Sequence, residues 1–256
     1  GAGVQSTTLA LMANEGLIRP PDCAIFSDTQ AEPPDVYRHL EWLIKELNFP
    51  VHVVTAGNLE EELKAATEGQ RFASIPFWAD KEEGAGKLRR QCTREYKIAP
   101  LEKKVRELLG LEHGQHLKKD VFMYIGISLD EIGRVRINQH PRIHNKYPLI
   151  GMTLTRYDCL AWLKDKLYPI PPKSACYFCP FSSNERWKEL KQDQPEVFAK
   201  AVQIDKLIRE NKLNKIEEKV YLHKSMKPLD EVDFSNAEDQ GQLSLFNDEC
   251  EGMCGN

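Results

Sequence analysis

Cys23-Ala24-Ile25-Phe26-Ser27-Asp28-Thr29 reads as a short apolar strand that ends in three polar residues, and what flanks it decides the fold. Downstream, Pro33-Pro34 opens a helix in which Val36, Leu40, Leu43 and Leu47 recur at helical spacing and bury one stripe. Val51 to Val54 is the next strand, Leu59 to Ala66 the next helix, Pro100 to Leu109 another helix, and Val121 to Ile127 a buried strand. Upstream, Ser6 to Glu15 is a helix with Leu9, Met12 and Ala13 on one face. Strand and helix alternate, which predicts an α/β fold with a mostly parallel, doubly wound sheet covered on both faces. In such sheets ligands sit beyond the carboxyl ends of the strands. Phe72 to Arg90, with its glycines, prolines and mixed charges, reads as a long functional loop.

The second half is mainly helical, with Arg156 to Leu167 and Asn184 to Arg209 as its strongest periodic segments. From Pro228 the chain turns acidic and loses periodicity, the pattern of a tail that is disordered or lies over the domain. The expected organisation is an α/β domain over 1–150, a helical region over 151–227 and a tail over 228–256. The chain opens on a glycine turn, and a strand is expected to precede Gly1.

Bulk properties bound the function. At 256 residues with 41% hydrophobic and 29% charged residues, the composition is that of a globular chain. A net charge of −4 argues against binding driven by overall charge and leaves room for a local basic channel. No apolar run reaches the roughly 18 residues that a membrane span needs, and no signal-peptide pattern opens the chain. Seven cysteines are too sparse for a disulfide scaffold and odd in number. Cys176-x-x-Cys179 in such a chain reads as metal or redox chemistry in a reducing compartment, so the cytoplasm is expected.

Three features carry chemistry. Gly1-Ala2-Gly3-Val4-Gln5-Ser6-Thr7 puts two glycines and two hydroxyls at a helix start, where free N–H groups and the helix dipole favour phosphate. Glycines also serve tight turns without any ligand. Cys176 and Cys179 can hold one metal from a single turn, with Cys92, Cys159, Cys250 and Cys254 as further candidates; iron–sulfur and four-thiolate zinc fit this spacing equally. Cys159 shares an amphipathic helix with Leu160, Leu163 and Leu167, and Cys23 lies inside an apolar strand, so both have packing reasons to exist. Lys87, Arg89, Arg90, Arg94, Lys97, Arg134 and Arg136 supply the cations, several of them near strand ends where anions can be clamped.

These motifs, in this order, resemble the superfamily of phosphoadenosine-phosphosulfate reductases and PP-loop ATP pyrophosphatases. Gly1 to Thr7 resembles the PP-loop, aligned so that Ser6 is its last serine. Ser27-Asp28-Thr29 resembles the Asp-Thr that lies near adenosine at the end of the second strand. Cys92-Thr93-Arg94-Glu95-Tyr96-Lys97-Ile98-Ala99-Pro100-Leu101 is similar to the reductases' cysteine segment, and closer still to that of the pyrophosphatase-like subunit of DNA phosphorothioation systems. Ile125-Gly126-Ile127-Ser128 with Glu131 and Arg134 resembles the arginine-bearing strand end, and Ser174 to Pro180 supplies the second cysteine motif.

The resemblance implies an adenine nucleotide, ATP or phosphoadenosine phosphosulfate. Its phosphates would lie on Gly1, Gly3, Ser6 and Thr7, with Asp28 and Thr29 near the nucleoside and Arg94, Lys97 and Arg134 on the anionic end. It also implies a four-iron four-sulfur cluster on Cys92, Cys176 and Cys179. Thr93 stands where the reductases have a second cysteine, and Cys159 is the favoured fourth ligand. Gly1, Ala2 and Gln5 replace the PP-loop's serine, first glycine and aspartate, which weakens the case for metal-assisted ATP cleavage.

The tail adds two expectations. Cys250 and Cys254 stand near where the reductases carry their catalytic cysteine and could act as nucleophile and resolving or relay thiol. Gln242-Leu243-Ser244-Leu245-Phe246 resembles the pentapeptide that docks bacterial proteins on the replicative sliding clamp; it also fits a strand pinning the tail to the domain. Three functions are therefore in play. The first is sulfur transfer, with DNA or RNA as acceptor; the second is sulfonucleotide reduction; the third is a non-catalytic nucleotide-binding or clamp-docked accessory role.

Overall fold

A computed structural model describes residues 1–70, 74–81, 84–112, 114–211, 213, 216 and 218–235. Helix α1 (Val4–Asn14) starts at Gly3, which caps it in an extended conformation without a side-chain hydrogen bond. Strand β1 (Ala24–Asp28) follows, then α2 (Pro34–Glu46), which begins on a proline whose missing N–H costs nothing in a first turn. Strand β2 (Val51–Thr55) pairs in parallel with β1, Ala24 opposite Val51 and Asp28 opposite Thr55. Helix α3 (Leu59–Thr67) is capped by Asn58, whose side chain accepts the Glu60 and Glu61 N–H groups.

The segment read as a loop over 72–90 differs: it contains an antiparallel hairpin, β3 (Trp78–Lys81) with β4 (Gly84–Lys87). Gly84 and Gly86 in β4, with Pro76 just ahead of β3, mask the alternation that marks a strand. A single π-helical turn, Arg94–Ile98, then runs directly into α4 (Ala99–Leu108). Strand β5 (Val121–Tyr124) pairs in parallel with β6 (Ile143–Lys146). It is shorter than expected, and Phe122 is 60% exposed, so it is not buried on both faces.

A short α5 (Pro148–Gly151) leads to α6 (Arg156–Asp165), closed at its start by a capping box between Thr155 and Asp158. The helix expected over 184–209 is two helices, α7 (Asn184–Asp193) and α8 (Pro195–Glu210). Pro195 donates no hydrogen bond and restricts the residue before it, and Gln194 leaves helical geometry at φ −137°, ψ 60°. Strand β7 (Val220–Tyr221) joins the hairpin as its third strand.

Among the described residues the strands form three small sheets, β1-β2, β4-β3-β7 and β5-β6. The fold is thus mixed α/β with short parallel pairs. One core gathers Phe77, Phe178, Trp187, Leu190, Ile208 and Leu222 beneath α3, α7 and α8. A second joins Val4, Leu11 and Met12 of α1 to Leu149, Cys159 and Leu163 of α5 and α6, and a third groups Ala2, Phe26, Val36 and Leu40.

The first described residues after Pro228 are held down. Leu229 is fully buried and Phe234 stacks on Trp187 at 6.5 Å. Asp205, with no exposed surface, anchors this end by accepting the Leu222 and Leu229 N–H groups, both at 3.0 Å, and Arg209 Nε at 2.9 Å. No helix among the described residues is long and apolar enough to cross a membrane.

Candidate functional site

Three chain segments meet at the start of α1. The Ala2 N–H donates to Ser174 Oγ at 3.3 Å, and a Cβ on Gly1 would stand 3.3 Å from the same oxygen. Glycine at position 1 therefore lets the turn lie against Ser174. On another side, the stretch after β5 crosses the first helical turn so closely that a Cβ on Gly126 would meet the Ser6 backbone at 2.8 Å. The third segment is the end of β1. Thr29, buried, shares a 3.2 Å hydrogen bond between its Oγ1 and Cys176 Sγ. The helix start, a strand end and the cysteine turn thus come together, through Ser174 on one side and Thr29 on the other.

Asp28 is locked rather than idle. Its Oδ1 accepts Tyr37 Oη and the Gln30 N–H, both at 2.8 Å, and Gln30 takes a left-handed φ of 56° to close that turn. Burial, with the Asp28 hydrogen bond, raises the Tyr37 hydroxyl well above the usual range, so it stays a donor.

Glu32 follows in the same turn and is 6% exposed. Burial pushes its carboxyl up, while Lys97 and a hydrogen bond from Ser174 pull it down. Its Oε2 is buried with no hydrogen-bond partner. Burial likewise pushes the Cys176 thiol up, reinforced by Glu32 and opposed by Lys97. Lys97, on the π-turn, therefore acts on both groups. Glu32, Tyr37 and Ser174 are absent from the sequence-derived site. Glu32, three residues after Thr29, and Ser174, two before Cys176, had position as their only signal and Tyr37 had none, since burial of a carboxylate ahead of two prolines leaves no motif.

The remaining expected residues divide. Gly3 and Ser6 lie at the helix start, partly exposed. The Thr7 side chain turns inward, its Oγ1 3.0 Å from His39 Nε2, and its N–H donates to the Gly3 carbonyl at 2.9 Å, so the donors at this helix start come from the residues before Thr7. Gln5, in the place of an aspartate, bridges elements: its Nε2 donates to Ser128 Oγ at 3.3 Å and Glu131 Oε2 at 3.1 Å, and its Oε1 accepts Arg156 at 3.0 Å. Arg134 is engaged by Glu131, on the same 3₁₀ turn (Leu129–Arg134). Arg94 points to Glu102 of α4 at 2.9 Å in an exposed pair.

Among the cysteines, Cys176 and Cys179 share one turn, closed by Cys179 N–H to Cys176 C=O at 3.0 Å. Cys92 and Cys176 both pack against the first core. Cys159 does not join them. It sits with no exposed surface in the second core beside Leu163, its thiol pushed up to about 11 by burial. A spacing of four along α6 turns both side chains to the same face, which accounts for that placement. Among the described residues no group of three or more metal-ligating side chains is gathered. The donor chemistry of the Cys176–Cys179 turn suits a thiophilic metal, and further ligands have to come from outside that turn. Cys250, Cys254 and Gln242–Phe246 lie outside the described residues.

No family, no curated protein and no solved structure matches the chain.

Proposed function

We propose that this chain is an adenine-nucleotide-binding enzyme of sulfur transfer, built on the doubly wound plan of the PP-loop and phosphosulfate reductase superfamily and working in the cytoplasm with nucleic acid as the acceptor. One observation carries the reading. The loop bearing Cys176 and Cys179 hydrogen-bonds to the glycine turn of α1 through Ser174 and to the end of β1 through Thr29. A phosphate on the N–H groups of α1 would therefore lie beside the cysteine turn, as chemistry on a nucleotide-activated group requires.

The chain's own groups have separable tasks. The first turn of α1 offers N–H donors and the positive end of its dipole to the phosphates. Lys97 adds a positive charge beside Glu32 and Cys176. Asp28, held by Tyr37, presents its carboxylate at the strand end, where it would meet a ribose or base. Cys176 and Cys179, with Cys92, would hold an iron–sulfur cluster, whose chemistry would be to bind or polarise the transferred sulfur. Tail thiols Cys250 and Cys254 are the proposed sulfur carriers, and Gln242–Phe246 is a proposed clamp-docking segment.

The test is composition after anaerobic purification. Iron and acid-labile sulfide should accompany the protein and disappear in Cys176→Ser, while ATP or phosphoadenosine phosphosulfate binding, followed by calorimetry, should persist in that variant. Stoichiometric zinc with negligible iron would overturn the cluster assignment.

A further inference from the structure

The hairpin carries a stack of alternating cations and rings that the nucleotide site does not use. Trp78 of β3 stands directly opposite Lys87 of β4. Lys87 Nζ lies 4.6 Å from the Trp78 ring and 5.2 Å from the Phe181 ring, and the Arg90 guanidinium lies 5.1 Å from the Phe181 ring. The Trp78 indole N–H donates to the Pro180 carbonyl at 3.0 Å, which fastens the hairpin to the end of the cysteine turn. Past Lys87 the chain continues through Arg89 and Arg90 to Cys92, whose N–H donates to Ser74 C=O at 2.9 Å. Both cysteine segments thus emerge from the two sides of one stack.

Lys87 and Arg89 are exposed, and Trp78, Phe181 and Arg90 are partly so. In a chain of net charge −4, three cations within four residues form a local positive surface. Rings interleaved with cations match a polymer that alternates flat bases with phosphates, and stacking on rings needs bases freed from pairing.

We propose that this surface docks single-stranded nucleic acid, with phosphates on Lys87, Arg89 and Arg90 and bases on the exposed rims of Trp78 and Phe181. A strand lying there passes the Cys176–Cys179 turn, which delivers an acceptor to the proposed sulfur chemistry. The inference takes its purpose from that reading, but binding itself does not depend on it.

Fluorescence anisotropy with labelled single-stranded DNA, single-stranded RNA and duplex DNA tests the surface, using the full chain at about 50 and about 200 mM salt. Single strands should bind more tightly than duplex, with affinity falling as salt rises. Lys87→Ala should flatten the salt dependence by roughly 0.7 in log–log slope, and Trp78→Leu should weaken binding roughly five- to hundredfold. Lys206→Ala, on the exposed side of α8, should change nothing. Because Trp78 also holds the hairpin, thermal melting of each variant accompanies the titration, and Lys87→Ala decides the question if Trp78→Leu unfolds. Failure of wild type to bind either single strand, equal binding of duplex, or an unchanged Lys87→Ala affinity and slope would each overturn the proposal. Calorimetry with ATP on the same samples separates this outcome from failure of the nucleotide reading.

Discussion

Gly126 and Ser6 approach so closely that a methyl group on Gly126 would stand 2.8 Å from both the N and Cα of Ser6. The obstacle is backbone, which cannot swing aside as a side-chain tip can. Gly126→Ala must therefore shift the stretch after β5 or the first turn of α1. Overpacking of this kind costs about 1–3 kcal/mol, a fall in Tm of roughly 2–4 °C per kcal/mol for a domain of this size. Nucleotide affinity should fall at least about tenfold, because the donors of α1 move. A Gly126→Ala protein with unchanged Tm and affinity would show that this contact does not shape the cradle.

Arg134 is expected to clamp the anionic end of the nucleotide, yet Glu131 holds it in this structure. A ligand phosphate would have to compete for that guanidinium. Glu131→Gln should thus strengthen nucleotide binding, and Arg134→Ala should weaken it about tenfold or more, the loss of a hydrogen bond to a charged group being about 1.5–3 kcal/mol. Calorimetry on the two variants decides. Equal affinities in both would leave Arg134 as a purely structural partner of Glu131.

Cys159 gives a sharper contrast between pattern and placement. The short link to Cys176 favours it as a ligand, but its thiol is packed among Leu11, Leu149 and Leu163. Cys159→Ser should leave iron content unchanged and lower stability by about 0.5–2 kcal/mol, the cost of burying a hydroxyl that keeps the Thr8 side chain as its partner. Iron lost in Cys159→Ser, with Tm preserved, would restore it to the ligand set.

How far the sequence reached follows from such residues. Helical spacing and proline starts announced α2 and α4, because an apolar stripe on a surface helix is visible in one dimension. The hairpin at Trp78 and Lys87 was not, since its strands are four residues each and half of β4 is glycine. Asp28, Thr29 and Cys176 were legible as motif residues. Glu32, Tyr37 and Ser174 were not, because their importance comes from burial and from contacts between segments far apart in the chain.

His223 supplies a pH test of the first core, where its ring meets that of Phe234 at 5.8 Å. It is 4% exposed, and burial, with Lys224 adding, holds its pKa down to about 4. The Ser225 N–H donates to Nδ1 at 3.2 Å, which leaves Nε2–H to donate to Asn184 Oδ1 at 3.0 Å, the pattern of a neutral ring. The unfolded chain binds this proton near pH 6.5 and the folded chain only near 4. Stability is therefore fully present above about 6.5 and is lost as pH falls through that window. After allowance for solvent screening the loss is about 1–2 kcal/mol at pH 5. Urea denaturation at pH 7 and pH 5 should show it in wild type, and His223→Gln should have a smaller difference between the two. An equal pH dependence in both proteins would contradict the assignment.

The proposed adenine-nucleotide site lies at the start of α1, against the loop that carries Cys176. Titration calorimetry of the anaerobically purified full chain with ATP and with phosphoadenosine phosphosulfate tests it directly, alongside Ser174→Phe, which places a ring where Ser174 meets the glycine turn. Wild type should bind at least one of these nucleotides saturably, and binding should be lost in a Ser174→Phe protein that still melts cooperatively and retains its iron. No binding of either nucleotide to wild type, or undiminished affinity in Ser174→Phe, would contradict it.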